Sequence, residues 1–265
     1  MQPRNLDEYN TPQPVSWSRA WQTDPLNGDL SEEWPRLIES FRSRTPLGSE
    51  APACRGELLG GGELDIASYR NQKSVLLVFG SYACPPCVTN INIATPSLNQ
   101  LHAEFSDAIE FVYVYTREAH PGSTIHPHQS MDEKRAYAQR LKEREQVRFP
   151  ILIDTLDGSI QQRFVDPQFN NPVFLINRAG RVSYKSAWLD SSELPQVLAD
   201  QALWDKKCVT DLCIKKTYSE RIRILHEPFD TDCNARIKQL MGEIGMDQRD
   251  MGPVPGLESA QAKKA

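Results

Sequence analysis

Residues 74–90 read SVLLVFGSYACPPCVTN. Ser74 to Gly80 form an unbroken apolar run, too short for a helix and too uniform for a sheet face in water. That run predicts a strand buried on both faces. Cys84 and Cys87 follow at C-x-x-C spacing, with Pro85 and Pro86 between them. Proline suits the first turn of a helix, where its missing N–H would have had no partner. The chain is therefore expected to pass from strand to helix at Cys84. A helix start offers free N–H groups and a partial positive charge. Both favour a thiolate, and such positions lower a cysteine pKa to as low as ~3.5–7.5. Cys84 is the expected nucleophile. Cys87, three residues on and less exposed, is the expected resolving thiol. The competing reading is half of a zinc site. Zinc needs two further ligands at similar spacing, and there is no second C-x-x-C, so no metal is expected.

Working outward, AIEFVYVYT (108–116) and FPILID (149–154) read as further buried strands. VFLINRAGRVSYKS (173–186) reads as a hairpin around a glycine turn. The residues after Cys84 form a helix that Pro96 should kink or break. MDEKRAYAQRLKEREQ (131–146) reads as a charged, solvated helix, DGSIQQRF as a short one and SSELPQVLADQAL (191–203) as the closing one. The stretch 45–72 carries turn signals around Gly60, Gly61 and Gly62 and reads as a connector. Trp34, Leu37, Ile38 and Phe41 sit at helical spacing, which predicts a short amphipathic helix over 31–44.

Early strands joined by helices must run parallel, while the hairpin is antiparallel. The expected class is α/β, with a mixed central sheet and helices on both faces. This is the plan of the thioredoxin-like fold. Pro172 falls where that fold usually holds a cis-proline facing the active site, so a cis bond is expected there. Three regions follow: an N-terminal arm with its helix (1–45), the thioredoxin-like domain (46–203) and a helical tail (204–265), disordered at its end. The tail carries Cys208, Cys213, His226 and Cys233, whose spacings fit no common zinc finger. Cys54, in the connector, is expected to be unpaired.

Composition narrows the class. Net charge is −5, which argues against nucleic acid as a partner, since that needs a basic face. There is no apolar run near 20 residues, so no membrane span is expected. The start lacks a basic segment followed by an apolar run, so no secretory signal is read. Six cysteines without such a signal point to reduced thiols and a cytoplasmic location.

Two further motifs carry a family resemblance. Phe79-Gly80-Ser81-Tyr82-Ala83-Cys84-Pro85-Pro86 resembles the selenocysteine motif of the iodothyronine deiodinases. Tyr115-Thr116-Arg117-Glu118-Ala119-His120-Pro121 resembles the Glu-Ala-His-Pro segment after their second strand. PHQSMDEKR, with His128, and ILIDT also resemble the family, and the similarity spans about residues 46–203. The resemblance implies that Cys84 replaces selenocysteine. It implies that Glu118 and His120 relay a proton to the carbon losing iodine, and that His128 contacts the substrate. Ser81 and Tyr115 would hydrogen-bond around the centre, and Pro172 would shape the substrate groove. A homodimer is implied by the resemblance alone. The chain departs from the family at Tyr82, where the family has a cysteine, and at Cys87, where it has an apolar residue.

Three functions compete. One is reductive dehalogenation of a small aromatic substrate by Cys84, with Cys87 resolving and an external thiol as electron donor. No bound cofactor is expected. The second is thiol-disulfide reduction, with a protein disulfide as partner, or thiol peroxidase chemistry at the same centre. The third is a non-catalytic interaction module with inert cysteines.

Overall fold

The computed structural model describes residues 33–207, together with 219–221, 239, 240, 242, 243 and 245. The irregular arm read over 1–30 and the residues Cys208, Cys213, His226 and Cys233 lie outside the described residues. The strands are β1 (Arg55–Leu58), β2 (Glu63–Asp65), β3 (Ser74–Gly80), β4 (Ile109–Tyr115), β5 (Ile151–Ile153), β6 (Val173–Ile176), β7 (Val182–Ser186) and β8 (Ser219–Arg221). The helices are α1 (Glu33–Arg44), α2 (Pro85–Asn92), α3 (Leu98–Phe105), α4 (Met131–Glu145), α5 (Ser159–Phe164) and α6 (Leu194–Lys207).

The strands form one sheet in the order β2-β1-β5-β4-β3-β6-β7-β8. β3, β4 and β5 run parallel, while β6 is antiparallel to β3 and β7 is antiparallel to β6. This is a mixed, thioredoxin-like α/β architecture, as the order of elements predicts. β3 pairs with a neighbour on each side and is buried at all seven positions, which is why its run is uniformly apolar.

Side chains alternate along the central strands and so build two cores. Leu76 and Val78 of β3, with Phe111, Tyr113 and Tyr115 of β4, share one face with Val88, Leu101, Leu141 and Leu198 of the helices. Val75, Leu77 and Phe79, with Val112 and Val114, share the other with Phe41 of α1 and Phe164 of α5. Phe79, Phe164 and Phe174 meet there with ring centroids 5.2–5.8 Å apart. Fully burying each such ring contributes about 1.5–3 kcal/mol. α1 is tied to this face by Lys185, wholly buried, whose Nζ donates to the carbonyls of Phe41 (2.7 Å) and Arg42 (3.1 Å). These are end carbonyls that the helix itself cannot satisfy.

The helix after Cys84 is interrupted as expected. α2 stops at Asn92, and α3 restarts after Ser97 with a reciprocal capping box between Ser97 and Gln100. Three readings differ from the structure. The connector holds the β1–β2 hairpin, turned by Gly60, Gly61 and Gly62 at positive φ. Its strands are short and largely polar because β2 is a sheet edge, so periodicity did not mark them. α4 is not simply solvated: Lys134, Tyr137, Ala138, Leu141 and Glu145 are buried. Its apolar stripe is thin because a lysine and a glutamate occupy core-facing positions. The region read as a helical tail contributes β8, parallel to β7.

Candidate active site

β3 and β4 are parallel and in register, with Gly80 opposite Tyr115. Their carboxyl ends therefore open side by side, the usual place for a site in an α/β sheet. The CPPC turn leaves β3 there, and the 116–130 loop leaves β4. Short backbone bonds hold the loop against the turn. Thr116 N–H donates to the Gly80 carbonyl (2.9 Å) and His120 N–H to the Ala83 carbonyl (3.0 Å). Ala119 N–H donates to Ser81 Oγ (3.1 Å), which is the role the structure gives Ser81.

Cys84 and Cys87 are unoxidised, with Sγ atoms 2.8 Å apart in a thiol–thiol hydrogen bond. Both are buried, and they form a small cluster with Ala119 of the loop. Cys84 is the N-cap of α2. The expected depression of its pKa does not occur. Burial pushes the Cys84 thiol well above the ordinary range, and the adjacent Cys87 thiol and Glu118 carboxylate add to the effect. Burial explains the difference from the helix-start expectation; of the two N–H groups that usually meet an N-cap side chain, Pro86 lacks one and Cys87 keeps the other. The Cys87 N–H opposes the rise but does not outweigh burial.

Gly80 makes room for this pair. A Cβ there would collide with the Tyr113 hydroxyl and lie 2.7 Å from Cys87 Sγ. Tyr113 is fully buried, and its hydroxyl lies against the Cys87 sulfur without an aligned hydrogen bond to any described residue.

Glu118 is the hub of the polar network. Its Oε2 accepts from the Ala83 N–H (2.6 Å), directly beside Cys84. Its Oε1 accepts from the Tyr115 hydroxyl and lies 3.0 Å from His128 Nε2. A carboxylate can only accept, so Nε2–H of His128 is the donor. The side chains of Glu118 and His128 are wholly buried. His128 Nδ1 has no hydrogen-bond partner among the described residues. The Tyr115 hydroxyl also accepts from the Tyr82 N–H (3.3 Å), which closes the network around the turn.

The Glu118–His120 pairing that the motif implies is not the pairing in the structure. Among the described residues no hydrogen bond joins the His120 ring to Glu118. Burial, with the Arg117 guanidinium, pushes the partly exposed His120 down to about 4. Its imidazole is therefore neutral near pH 7. His128, ten residues after Glu118, is brought back to it by the path of the loop into α4. His126 is exposed.

Pro172 is buried, and its carbonyl accepts from the Phe79 N–H (3.0 Å), extending the β3–β6 ladder. The Asn171–Pro172 bond is trans, contrary to expectation; the cis bond is Thr95–Pro96. Asn171 is buried, with neither amide atom hydrogen-bonded to a described residue.

Sequence reasoning passed over Tyr113, Gly80 and Arg144. Tyr113 could have been found, since it lies two residues before Tyr115 and so shares its face. Arg144 could not. It comes from α4 to donate to the Tyr82 hydroxyl (2.6 Å) and also pairs with Glu243. Cys54, free and buried, is pushed up to about 12 by burial, with Asp154 and Asp65 adding. Among the described residues there is no cluster of metal-ligating side chains, and no helix is long and apolar enough to cross a membrane.

The sequence pattern of the family described as iodothyronine deiodinase matches residues 17–188. The type II iodothyronine deiodinase of Fundulus heteroclitus is 25% identical over 154 residues, covering 46% of this chain and 56% of that one. The thyroxine 5-deiodinase of Gallus gallus is 30% identical over 143 residues, covering 49% of this chain and 53% of that one. The chain thus spans about half the length of the curated relatives it matches. Among solved structures, the thioredoxin domain of a thiol-disulfide oxidoreductase from Bacteroides vulgatus superposes with a TM-score of 0.45 at 18% identity, covering 58% of this chain and 96% of that one. A thiol:disulfide interchange protein of the thioredoxin family from Chlorobium tepidum gives 0.43 at 15% identity, covering 58% and 97%.

Proposed function

The chain belongs to the iodothyronine deiodinase family, and on that premise we propose that it is a thiol-dependent oxidoreductase that removes iodine from an iodinated aromatic substrate. Cys84 stands where the resemblance puts selenocysteine. Its thiolate attacks iodine, the carbon–iodine bond breaks, and the electron pair goes to carbon. That carbon takes a proton, giving R–H and a sulfenyl iodide on Cys84. Cys87 then attacks Cys84 Sγ, expels iodide, loses its own proton and leaves a Cys84–Cys87 disulfide. An external dithiol reduces the disulfide and restores both thiols.

The observation that carries the proposal is Glu118. One oxygen binds the backbone beside Cys84 and the other meets Tyr115 and His128. Protonating a carbanion-like carbon needs an acid–base group beside the nucleophile, and this network supplies one; thiol-disulfide exchange would use the same carboxylate to take the Cys87 proton. The Tyr115–Glu118–His128 chain is the proton relay of this reading. It replaces the Glu118–His120 relay, because the His120 ring is neutral near pH 7 and not bonded to Glu118.

The test is iodide release from an iodothyronine with a dithiol reductant. Cys84→Ser should abolish it. His128→Ala should slow it by about 10²-fold or more, the usual worth of a general acid, while His120→Ala costs far less. Release that survives Cys84→Ser, or is unchanged in His128→Ala, defeats the proposal.

One observation favours a second reading. The 2.8 Å approach of Cys87 Sγ to Cys84 Sγ supplies a complete dithiol, which supports thiol-disulfide reduction. That activity would appear as insulin reduction lost in Cys84→Ser and unaffected by His128→Ala.

A further inference from the structure

We infer that Tyr113 is the hydrogen-bond donor that supports Cys87 as a thiolate when Cys87 attacks the species bound on Cys84. The inference rests on the reading in which Cys84 reacts first and Cys87 resolves. Cys87 has no exposure to solvent, so water cannot stabilise a negative sulfur there. Its own N–H is turned toward Cys84. The two residues before it are prolines and have no N–H to give. The Tyr113 hydroxyl is therefore placed to do what solvent and backbone cannot.

The hydroxyl lies against the Cys87 sulfur, across the space left by the missing Cβ of Gly80. It is buried and has no aligned partner among the described residues. Buried polar groups in native proteins are almost always paired, so an unpaired one beside a reactive sulfur calls for a function. Burial, followed by the nearby Cys87, Cys84 and Tyr115, pushes the phenol well above its ordinary range, so it remains a donor. The titratable groups that act on Cys84 and Tyr113 are Cys87 and Glu118 at Cys84, and Cys87, Cys84 and Tyr115 at Tyr113. None of these groups adds a positive charge.

The step itself balances. With a mixed disulfide on Cys84, the Cys87 thiol first gives its proton to the Glu118 carboxylate beside the turn. Its thiolate attacks Cys84 Sγ, the Cys84–Cys87 bond forms, and the outer thiolate leaves. The protein pair is oxidised by two electrons and the disulfide probe is reduced by two. Part of the negative charge stays on the attacking sulfur in the transition state, since the Brønsted slope for this attack is about 0.4–0.5, so a donor bond there lowers the barrier.

The probe is 5,5′-dithiobis(2-nitrobenzoic acid), added in equimolar amount to full-length protein with Cys208, Cys213 and Cys233 changed to serine. Release of the first thionitrobenzoate reports attack by Cys84, and release of the second reports attack by Cys87. In Tyr113→Phe the first phase should keep its rate. The second should slow by about tenfold at pH 7. A second phase unchanged at every pH overturns the inference and leaves Cys87 as the resolving thiol. Equal slowing of both phases, at all pH values, also overturns it, since that reports a disturbed fold. A parent protein with no second release overturns the resolving role itself. Should Tyr113→Phe not fold, 3-fluorotyrosine incorporation makes the phenol a stronger donor at nearly the same size. It must then speed the second phase at pH 7, and failure to do so overturns the inference.

Discussion

Replacing Glu118 with glutamine should destabilise the protein by about 3 kcal/mol. All three groups that meet the Glu118 carboxylate are donors: the Ala83 N–H, the Tyr115 hydroxyl and the His128 Nε2–H. Glutamine offers one acceptor oxygen and one NH2, which must point at a donor whichever way it is turned. The better orientation keeps the oxygen toward Tyr115 and His128 and sets NH2 against the Ala83 N–H. A hydrogen bond to a charged group is then lost, worth about 1.5–3 kcal/mol, and a buried N–H is left unsatisfied, at a cost of about 1–3 kcal/mol. These contributions overlap, and the two bonds that survive become neutral, so about 3 kcal/mol is the expected net loss. Urea unfolding at pH 7.5 measures it. The same substitution removes a negative charge near Cys84, so iodoacetamide should alkylate Cys84 at lower pH than in the parent protein. A stability loss under about 1 kcal/mol, with an unchanged alkylation profile, would refute the reasoning that Glu118 is a charged hub.

Gly80→Ala should cost about 1–3 kcal/mol through overpacking, since its Cβ must displace Tyr113 or Cys87; an unfolding midpoint equal to the parent's would contradict the close packing. Because burial holds Cys84 well above the ordinary thiol range, its alkylation at pH 7 should be slower than that of a free cysteine and rise about tenfold per pH unit; rapid alkylation below pH 7 would restore the helix-start expectation. His120 is depressed in the fold from 6.5 to about 4. A base favoured in its neutral form contributes stability that is complete above its unfolded value and lost as pH falls through its folded one. The parent should therefore lose stability between about pH 6.5 and 4, and His120→Gln should remove that part of the acid dependence; equal acid profiles for the two proteins would count against a neutral imidazole at His120.

The central sheet was legible because its strands obey simple rules. β3 is apolar throughout since both of its faces are covered, and that uniformity is visible without a structure. Pro96 announced the break between α2 and α3 by the same logic. The β1–β2 hairpin was hidden because Arg55–Leu58 and Glu63–Asp65 are short, and β2, with only one neighbour, forms the edge of the sheet. α4 was misread because Lys134 is buried by a tertiary bond from its Nζ to the Thr155 carbonyl (3.0 Å), and no local pattern records such a partner.

The sequence by itself determined the fold class and the two neighbouring thiols at the end of a buried strand. Those follow from local spacing and periodicity, which act over a few residues. Only the tertiary structure decided what the thiols experience. It placed Ala119 over Cys84, turned Glu118 toward His128 instead of His120, and set the Tyr113 hydroxyl against Cys87. Burial and charge act through space, so a helix start that should acidify Cys84 is overruled by the loop packed above it.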